Sequence, residues 1–142
     1  MPIDLTTILA IWGAFLSSVL AGWTLYRDLT DRGKIRLYCY VGNIIGGPES
    51  SETDYLFWRV VNIGRGSVLV TSVGGALSEK NFMINPRTLP KMLVPGDYLS
   101  EYTDDLSILD KDLKYLCAWD SLGKVYKAPR KQLNRLKSGS EN

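Results

Sequence analysis

The longest hydrophobic run of the chain lies near its N-terminal end. From Leu5 to Tyr26 the sequence contains no charged residue, and Asp4 and Arg27 bound the run. A helix over these residues is about 33 Å long at 1.5 Å per residue, against about 30 Å for the hydrocarbon core of a bilayer. The pattern therefore predicts a transmembrane anchor over residues 1–27.

After this run the pattern changes to short segments in which apolar and polar positions alternate. Residues 28–33 are a predicted polar linker, and Lys34 to Val41 alternates as a half-buried strand does. Tyr55 to Ile63, Val68 to Val73 and Tyr98 to Thr103 are predicted strands because they are rich in β-branched and aromatic residues. Clusters of glycine, proline and polar residues separate these strands.

Shorter segments complete the predicted domain. The pair Gly74-Gly75 predicts a bend or bulge, and acidic residues ahead of spaced leucines predict one or two helical turns from Asp104 to Leu113. Short strands between turns, with no alternation of strands and helices, predict an antiparallel β-sandwich over residues 34–128. Residues 129–142 are predicted to be a frayed, basic polar tail. Leu89 to Leu93 leads to a turn at Val94 to Asp97, which proline and glycine at its central positions predict. The remaining predicted strands are Phe82 to Ile84, Lys114 to Trp119 and Lys124 to Lys127, the last two joined by a turn at Asp120 to Gly123.

Four stretches of turn and core residues carry a resemblance to a known class of domain. They are Val60 to Gly64, Val68 to Val70, Leu93 to Asp97 and Trp119 to Tyr126. At these residues the chain resembles immunoglobulin-like β-sandwich modules of bacteria, and it is similar to uncharacterised small bacterial proteins that join such a domain to an N-terminal membrane anchor. The resemblance implies a fold and a binding or spacer role, and it carries no catalytic residue because its motifs are turns and core positions.

The flanks of the apolar run predict how the anchor is inserted. A signal peptide is the rival interpretation, because Val19 to Ala21 resembles a cleavage site. The N-terminal flank has no lysine or arginine, however, and the run exceeds the roughly 7–15 residues of a signal-peptide core. Cations concentrate instead just beyond the run, so the positive-inside rule predicts a single-pass inner (plasma) membrane protein with a cytoplasmic C-terminal domain. These cations are Arg27, Arg32, Lys34 and Arg36.

One half of the anchor carries small residues at helical spacing. Small residues spaced at i and i+4 form columns along the helix, and these allow the backbone of a second helix to approach closely. This spacing predicts self-association or docking on the helix of a partner. The alternative is that small residues are simply common in membrane helices. This helix-packing strip consists of Ala10, Gly13, Ala14, Ser17, Ser18, Ala21 and Gly22.

Composition excludes several kinds of catalytic and metal site. The chain has no histidine, and its two cysteines, Cys39 and Cys117, lie far apart in the sequence. A Ser-His-Asp or Cys-His site therefore cannot form within one chain, and two isolated cysteines cannot supply a four-ligand zinc site. We expect no enzyme activity, no cofactor and no metal, with both cysteines reduced and buried as small apolar residues.

One stretch of the chain is acidic. A calcium or magnesium site built of carboxylates is one interpretation, but the spacing matches no calcium-binding loop, so a solvated acidic edge is the favoured one. The acids are Asp97, Glu101, Asp104, Asp105, Asp110 and Asp112.

A basic stretch near the C-terminal end is the better candidate for a contact site. Cations that approach an anionic leaflet gain attraction from it, so these residues are candidate contacts with anionic lipid or an acidic partner, with solubility as the alternative. The net charge of +2 leaves no nucleic-acid footprint, and no aromatic stacking platform is evident beyond Tyr126, so nucleic acid is an unlikely partner. The stretch comprises Lys124, Lys127, Arg130, Lys131, Arg135 and Lys137.

These expectations favour a membrane-anchored interaction module that binds a protein partner or a membrane surface. The alternative is an accessory or structural subunit of a larger bacterial envelope complex. An enzyme ranks third. An exposed apolar sheet face or edge favours the partner module, and a deep pocket lined by carboxylates favours the enzyme.

Overall fold

The chain folds as two separate units. A computed structural model describes residues 4–46, 53–110 and 112–139. The first unit ends at Arg32 and the second begins at Gly33. In chain order the elements are α1 (Leu5–Thr30), β1 (Ile35–Asn43), β2 (Asp54–Asn62), β3 (Val68–Leu77), β4 (Asn81–Met83), β5 (Lys91–Leu93), β6 (Tyr98–Thr103), α2 (Ser107–Asp110), β7 (Leu113–Asp120), β8 (Val125–Lys127) and α3 (Arg130–Gly139).

The first unit is the single helix α1, whose 26 residues are all exposed. It is long and apolar enough to cross a membrane. The helix continues through Asp28 to Thr30, which the sequence analysis assigns to the linker, and ends where Arg27 Nε pairs with Asp31 Oδ2 at 3.4 Å. The connection to β1 is therefore shorter than predicted.

The second unit consists of two antiparallel sheets. One has three strands in the order β1-β2-β6. The other has five strands: β7 pairs with one edge of β3, β4 and β5 pair with the opposite edge, and β8 adds to β7. The prediction of a mainly β domain built from antiparallel sheets after an N-terminal apolar helix is confirmed.

Both sheets contribute to one hydrophobic core. Leu56, Trp58 and Val60 of β2 and Val73 of β3 are fully buried in it. Trp58 also donates a hydrogen bond from its indole Nε1 to the carbonyl of Gly74 at 3.0 Å. The largest core side chain thus satisfies its one polar group on the backbone of the other sheet, as a buried indole requires.

The paired glycines of β3 act through close packing. A Cβ on Gly74 would lie 2.1 Å from the carbonyl oxygen of Phe82, so only glycine allows β4 to pair here. The predicted bulge at Gly74-Gly75 is wrong in position, because pairing with β7 is regular at these residues. The irregularities fall between Val70 and Ser72 and between Ala76 and Leu77.

Two buried polar side chains fix turns of the domain. Asn62 is fully buried, and its Nδ2 donates to the carbonyls of Gly66 at 2.8 Å and Leu93 at 2.9 Å. Asp120 Oδ1 accepts from the backbone N–H groups of Leu122 and Lys124, both at 2.9 Å. The hydrogen bonds of Asp120 confirm the predicted turn between β7 and β8.

The helical content of the domain differs from the prediction at two places. The predicted helix from Asp104 to Leu113 is reduced to α2, because Leu113 is taken into β7 and buried in the core. The expected frayed tail is instead the helix α3 over Arg130–Gly139. Leu133 is buried and Leu136 packs against the core, so burial of these two leucines attaches α3 to the domain.

Candidate functional site

The outer face of the three-stranded sheet carries an unusual set of side chains. Along each strand one set of alternating residues enters the core, and the other set lies on the opposite face. The outward residues are mostly tyrosine, phenylalanine and arginine, and none is acidic. We call this surface, together with Arg87 from the β4–β5 connection, the aromatic–arginine face; its strand residues are Arg36, Tyr38, Tyr40, Gly42, Tyr55, Phe57, Arg59, Val61, Tyr98, Ser100 and Tyr102.

Strand pairing assembles four aromatic rings at one end of this face. Tyr40 of β1 lies opposite Phe57 of β2, which lies opposite Tyr102 of β6. The rings of Tyr40 and Phe57 are stacked with centroids 5.1 Å apart, and Phe57 and Tyr102 are 5.4 Å apart. Tyr55 closes the cluster with its ring edge-on to Tyr102 at 5.2 Å. Mutual contacts therefore restrain these side chains, of which Tyr40 is exposed and the other three are half-buried.

Arginine side chains lie against the aromatic rings of the same face. The guanidinium carbon of Arg87 lies 4.2 Å from the ring centroid of Tyr102, and that of Arg59 lies 4.6 Å from the ring centroid of Tyr98. Arg87 also donates a hydrogen bond from Nη1 to the Tyr102 hydroxyl. Cation–π contacts of this kind hold guanidinium groups in place while leaving them charged.

A buried carboxylate positions Arg87. Glu101 is fully buried on the core side of β6, and its Oε2 accepts from the backbone N–H of Arg87 at 2.9 Å. Its Oε1 accepts from the backbone N–H of Thr88 at 2.7 Å and from the Thr88 hydroxyl at 2.6 Å. Glu101, which the sequence analysis places in a solvated acidic edge, is therefore a structural anchor for the segment that bears Arg87.

A groove of about 680 Å³ lies beside β1. Its walls come from the Tyr38–Val41 segment of β1, from α2 and from α3, and Leu106, Leu109 and Leu136 supply apolar surface. The Gln132 side chain of α3 accepts a hydrogen bond through Oε1 from the backbone N–H of Cys39 at 3.1 Å. Among the residues that the structure describes, Asp54 is the only acid that lines this groove, so no described carboxylates converge on it.

Both cysteines are buried and reduced, as predicted. Burial raises the pKa of the Cys39 thiol well above its ordinary range, and the neighbouring Cys117 raises it further. Burial also raises the pKa of Cys117 to about 12, although the positive charge of Lys127 opposes this shift. Neither thiol is therefore a nucleophile near neutral pH. Within residues 4–46, 53–110 and 112–139, no group of three potential metal ligands comes together.

The structure places the predicted helix-packing strip on the exposed surface of α1. An added Cβ at Gly13 or Gly22 would meet no neighbouring atom within 4 Å, so the strip is open to close approach. The Ser18 hydroxyl donates to the carbonyl of Ala14 at 2.8 Å, which satisfies it within the helix. Whether a second helix packs on this strip stays a prediction.

The structure divides the predicted basic stretch into three sets of residues. Lys137 Nζ donates to the carbonyl of Leu113 at 2.8 Å and is half-buried. Lys124 and Lys127 lie over tyrosine rings, with Nζ 5.1 Å and 4.0 Å from the ring centroids of Tyr126 and Tyr115. The remaining cations, Arg130, Lys131 and Arg135, lie exposed on α3.

Comparison with known proteins assigns no family: no protein-family model matches the chain, and no curated protein matches it. The candidate site therefore depends on its own geometry.

The aromatic cluster is the feature that the sequence analysis misses. The sequence does contain a signal for it, because Tyr38 and Tyr40 alternate along β1 with the residues that enter the core and therefore share the opposite face. Which of these rings meet depends on the order β1-β2-β6, and alternation within one strand does not determine that order.

Proposed function

We propose that this protein is a single-pass membrane protein whose β domain is a non-catalytic interaction module, and that the aromatic–arginine face is the surface that binds a protein partner. The observation that carries the proposal is the composition of that face: clustered rings and arginines, with no acid among the outward strand residues that the structure describes. Tyrosine and arginine are enriched among the residues that dominate binding energy at protein interfaces.

The arrangement of the rings supports this role energetically. Tyr40, Phe57 and Tyr102 are held by contacts with one another, and the core behind them is filled by Trp58 and its neighbours. The rings are thus not needed to complete the core. Because they are already restrained, they lose little conformational entropy when a partner covers them. Arginines on the same face favour a partner surface that is acidic.

The membrane topology belongs to the same proposal. The length and apolar composition of α1 support a retained anchor, and the cations that follow it support a cytoplasmic β domain at the inner membrane of a bacterium. Two antiparallel sheets around one core are compatible with the immunoglobulin-like arrangement that the turn residues imply. The raised thiol pKa values and the carboxylate-poor groove support a role without catalysis.

A second candidate function is an accessory or structural subunit of a larger envelope complex. The observation that favours it is the unobstructed small-residue strip on α1, on which a helix of another subunit can pack.

Site-specific crosslinking in native membranes tests the binding surface. A photoreactive amino acid replaces Tyr40, which is 43% exposed, or Met83 of β4, which is 69% exposed and serves as the control position. We expect one protein to be captured at Tyr40 and not at Met83. That protein, once purified, should bind the full chain in lipid nanodiscs. Arg59→Ala should raise the dissociation constant of this complex roughly 30-fold, as loss of an interface hot spot does.

Other outcomes contradict the proposal. Equal capture at Met83 removes the preference for this face, and adducts that consist of nucleic acid or lipid assign the face to another class of ligand. For the anchor, release of the protein from membranes by carbonate, or a mature N-terminus within the Val19 to Gly22 segment, contradicts a retained span.

A further inference from the structure

The outer side of α3 is a compact basic surface. Leu133 is buried on its inner side, with Gln132, Leu136 and Lys137 half-buried beside it. The exposed residues recur at the spacing of one helix face and include three cations. From residue 128 to residue 139 the chain contains no acid that could neutralise them. The exposed residues are Arg130, Lys131, Asn134, Arg135, Ser138 and Gly139.

The three cations are not used to hold the domain together. Within the ranges that the structure describes, the side chains of Arg130, Lys131 and Arg135 make no hydrogen bond, ion pair or ring contact. Lys137, on the inner side of the same helix, is bonded to the backbone of β7. The helix therefore uses one cation for its own attachment and leaves the other three exposed, although Arg135 also lines the groove beside β1.

The helix lies near the point at which the anchor joins the domain. Gln132 bonds to the backbone of Cys39, which lies six residues beyond Gly33, the first residue of the second unit. A strand advances about 3.3 Å per residue, so this contact lies within about 20 Å of Gly33. If α1 spans a bilayer, the chain connection keeps the β domain tethered to that bilayer, so even a weak attraction is favoured by a high effective concentration.

We propose that the outer face of α3, through Arg130, Lys131 and Arg135, binds the headgroups of anionic phospholipids in the bilayer that holds α1. This inference rests on the membrane anchor of the proposed function, but not on the aromatic–arginine face. The charge complementarity is direct, because a cytoplasmic leaflet carries anionic headgroups and this helix face carries cations only. Each cation near such a surface changes the binding equilibrium about fivefold, so three change it about 100-fold.

A fluorescent label on the helix tests the proposal in the full chain. Asn134 lies between the cations on the exposed face, and Asn134→Cys places a reactive thiol there, whereas the two native thiols are buried. The labelled protein is reconstituted in nanodiscs whose lipids carry a headgroup quencher, either with phosphatidylglycerol or with phosphatidylcholine alone. We expect strong quenching in the anionic discs, weak quenching in the neutral ones, and loss of the difference at high salt.

Matched variants separate lipid binding from general charge effects. Lys131→Glu with Arg135→Glu should abolish the quenching in anionic discs. Lys80→Glu with Lys114→Glu changes the net charge equally at exposed positions outside α3, in the β3–β4 connection and on β7, and should leave it unchanged. A label at Leu122, which is 91% exposed in the β7–β8 turn, reports whether quenching is specific to α3.

The outcomes distinguish this inference from the proposed function. If the chain stays in the discs but Asn134→Cys is quenched equally in both lipids, the lipid contact is refuted and the anchor stands. Equal effects of the two double variants refute it as well. Failure of the chain to enter discs of either lipid overturns both the anchor and this inference.

Discussion

Removal of the Glu101 carboxylate should destabilise the domain and release the segment that carries Arg87. This buried side chain accepts three hydrogen bonds, two from backbone N–H groups and one from the Thr88 hydroxyl, at 2.6–2.9 Å. Hydrogen bonds to a charged group contribute about 1.5–3 kcal/mol each, and donors left without an acceptor add a desolvation cost. Because the three bonds act as a unit, we expect Glu101→Ala to cost about 4 kcal/mol in the free energy of unfolding.

Glu101→Gln provides a graded comparison. It retains one oxygen acceptor but presents an NH₂ group to one set of donors, so the expected loss is about 2 kcal/mol. At roughly 4 °C per kcal/mol for a domain of this size, the melting temperature should fall by about 16 °C for the alanine variant and about 8 °C for the glutamine variant.

Thermal unfolding of the full chain in detergent micelles measures these shifts. Near-ultraviolet circular dichroism follows the packed aromatic residues of the β domain, whereas α1 in a micelle contributes little change. Glu79→Gln removes a charge from an exposed turn position and should stay within about 0.5 kcal/mol of the parent chain. If Glu101→Ala melts within about 2 °C of Glu79→Gln, the carboxylate does not hold this segment and the reasoning is wrong.

Three further predictions concern other parts of the chain. Leu133→Ala should lower the free energy of unfolding by about 2–4 kcal/mol because it opens a cavity under α3. The midpoint of urea unfolding measures this loss, and an unchanged midpoint would mean that the helix is not docked. The free energy of unfolding should fall above about pH 9, because the unfolded state ionises Cys39 and Cys117 while the folded state keeps both thiols protonated up to a pKa of about 12 or higher. A variant with alanine at both positions should lose this alkaline pH dependence, and an unchanged dependence would contradict the prediction. Replacing Ala14 and Ser18 with leucine should abolish detergent-resistant association of α1, measured by crosslinking in micelles, and association that persists unchanged would mean that the strip is incidental.

Much of the fold was predictable because its signals are local. The alternation from Ile35 to Cys39 predicts both the strand and its buried face, and the Val94 to Asp97 turn falls where proline and glycine predict it. Predictions failed where pairing with a distant segment of the chain decides the local structure. Leu113 fits a helical spacing, but pairing with Leu77 takes it into a strand.

The tail shows the same limit. Leu133 and Leu136 interrupt a basic stretch at helical spacing, which alone is compatible with a frayed segment in solution. A short helix becomes stable mainly when its apolar side is buried, and the hydrophobic core of the β domain supplies that surface. The sequence contained the pattern, but the packing partner comes from strands about 90 residues away.

The amino-acid sequence by itself determined the long apolar helix, the positions of most strands and turns, and the lack of imidazole chemistry, because each follows from composition or from the period of neighbouring residues. Tertiary structure alone decided that Tyr40, Phe57 and Tyr102 meet on one face, that Glu101 is buried, and that α3 presents three cations outward. These features depend on which distant strands pair and which surfaces pack, and local periodicity carries no information about either.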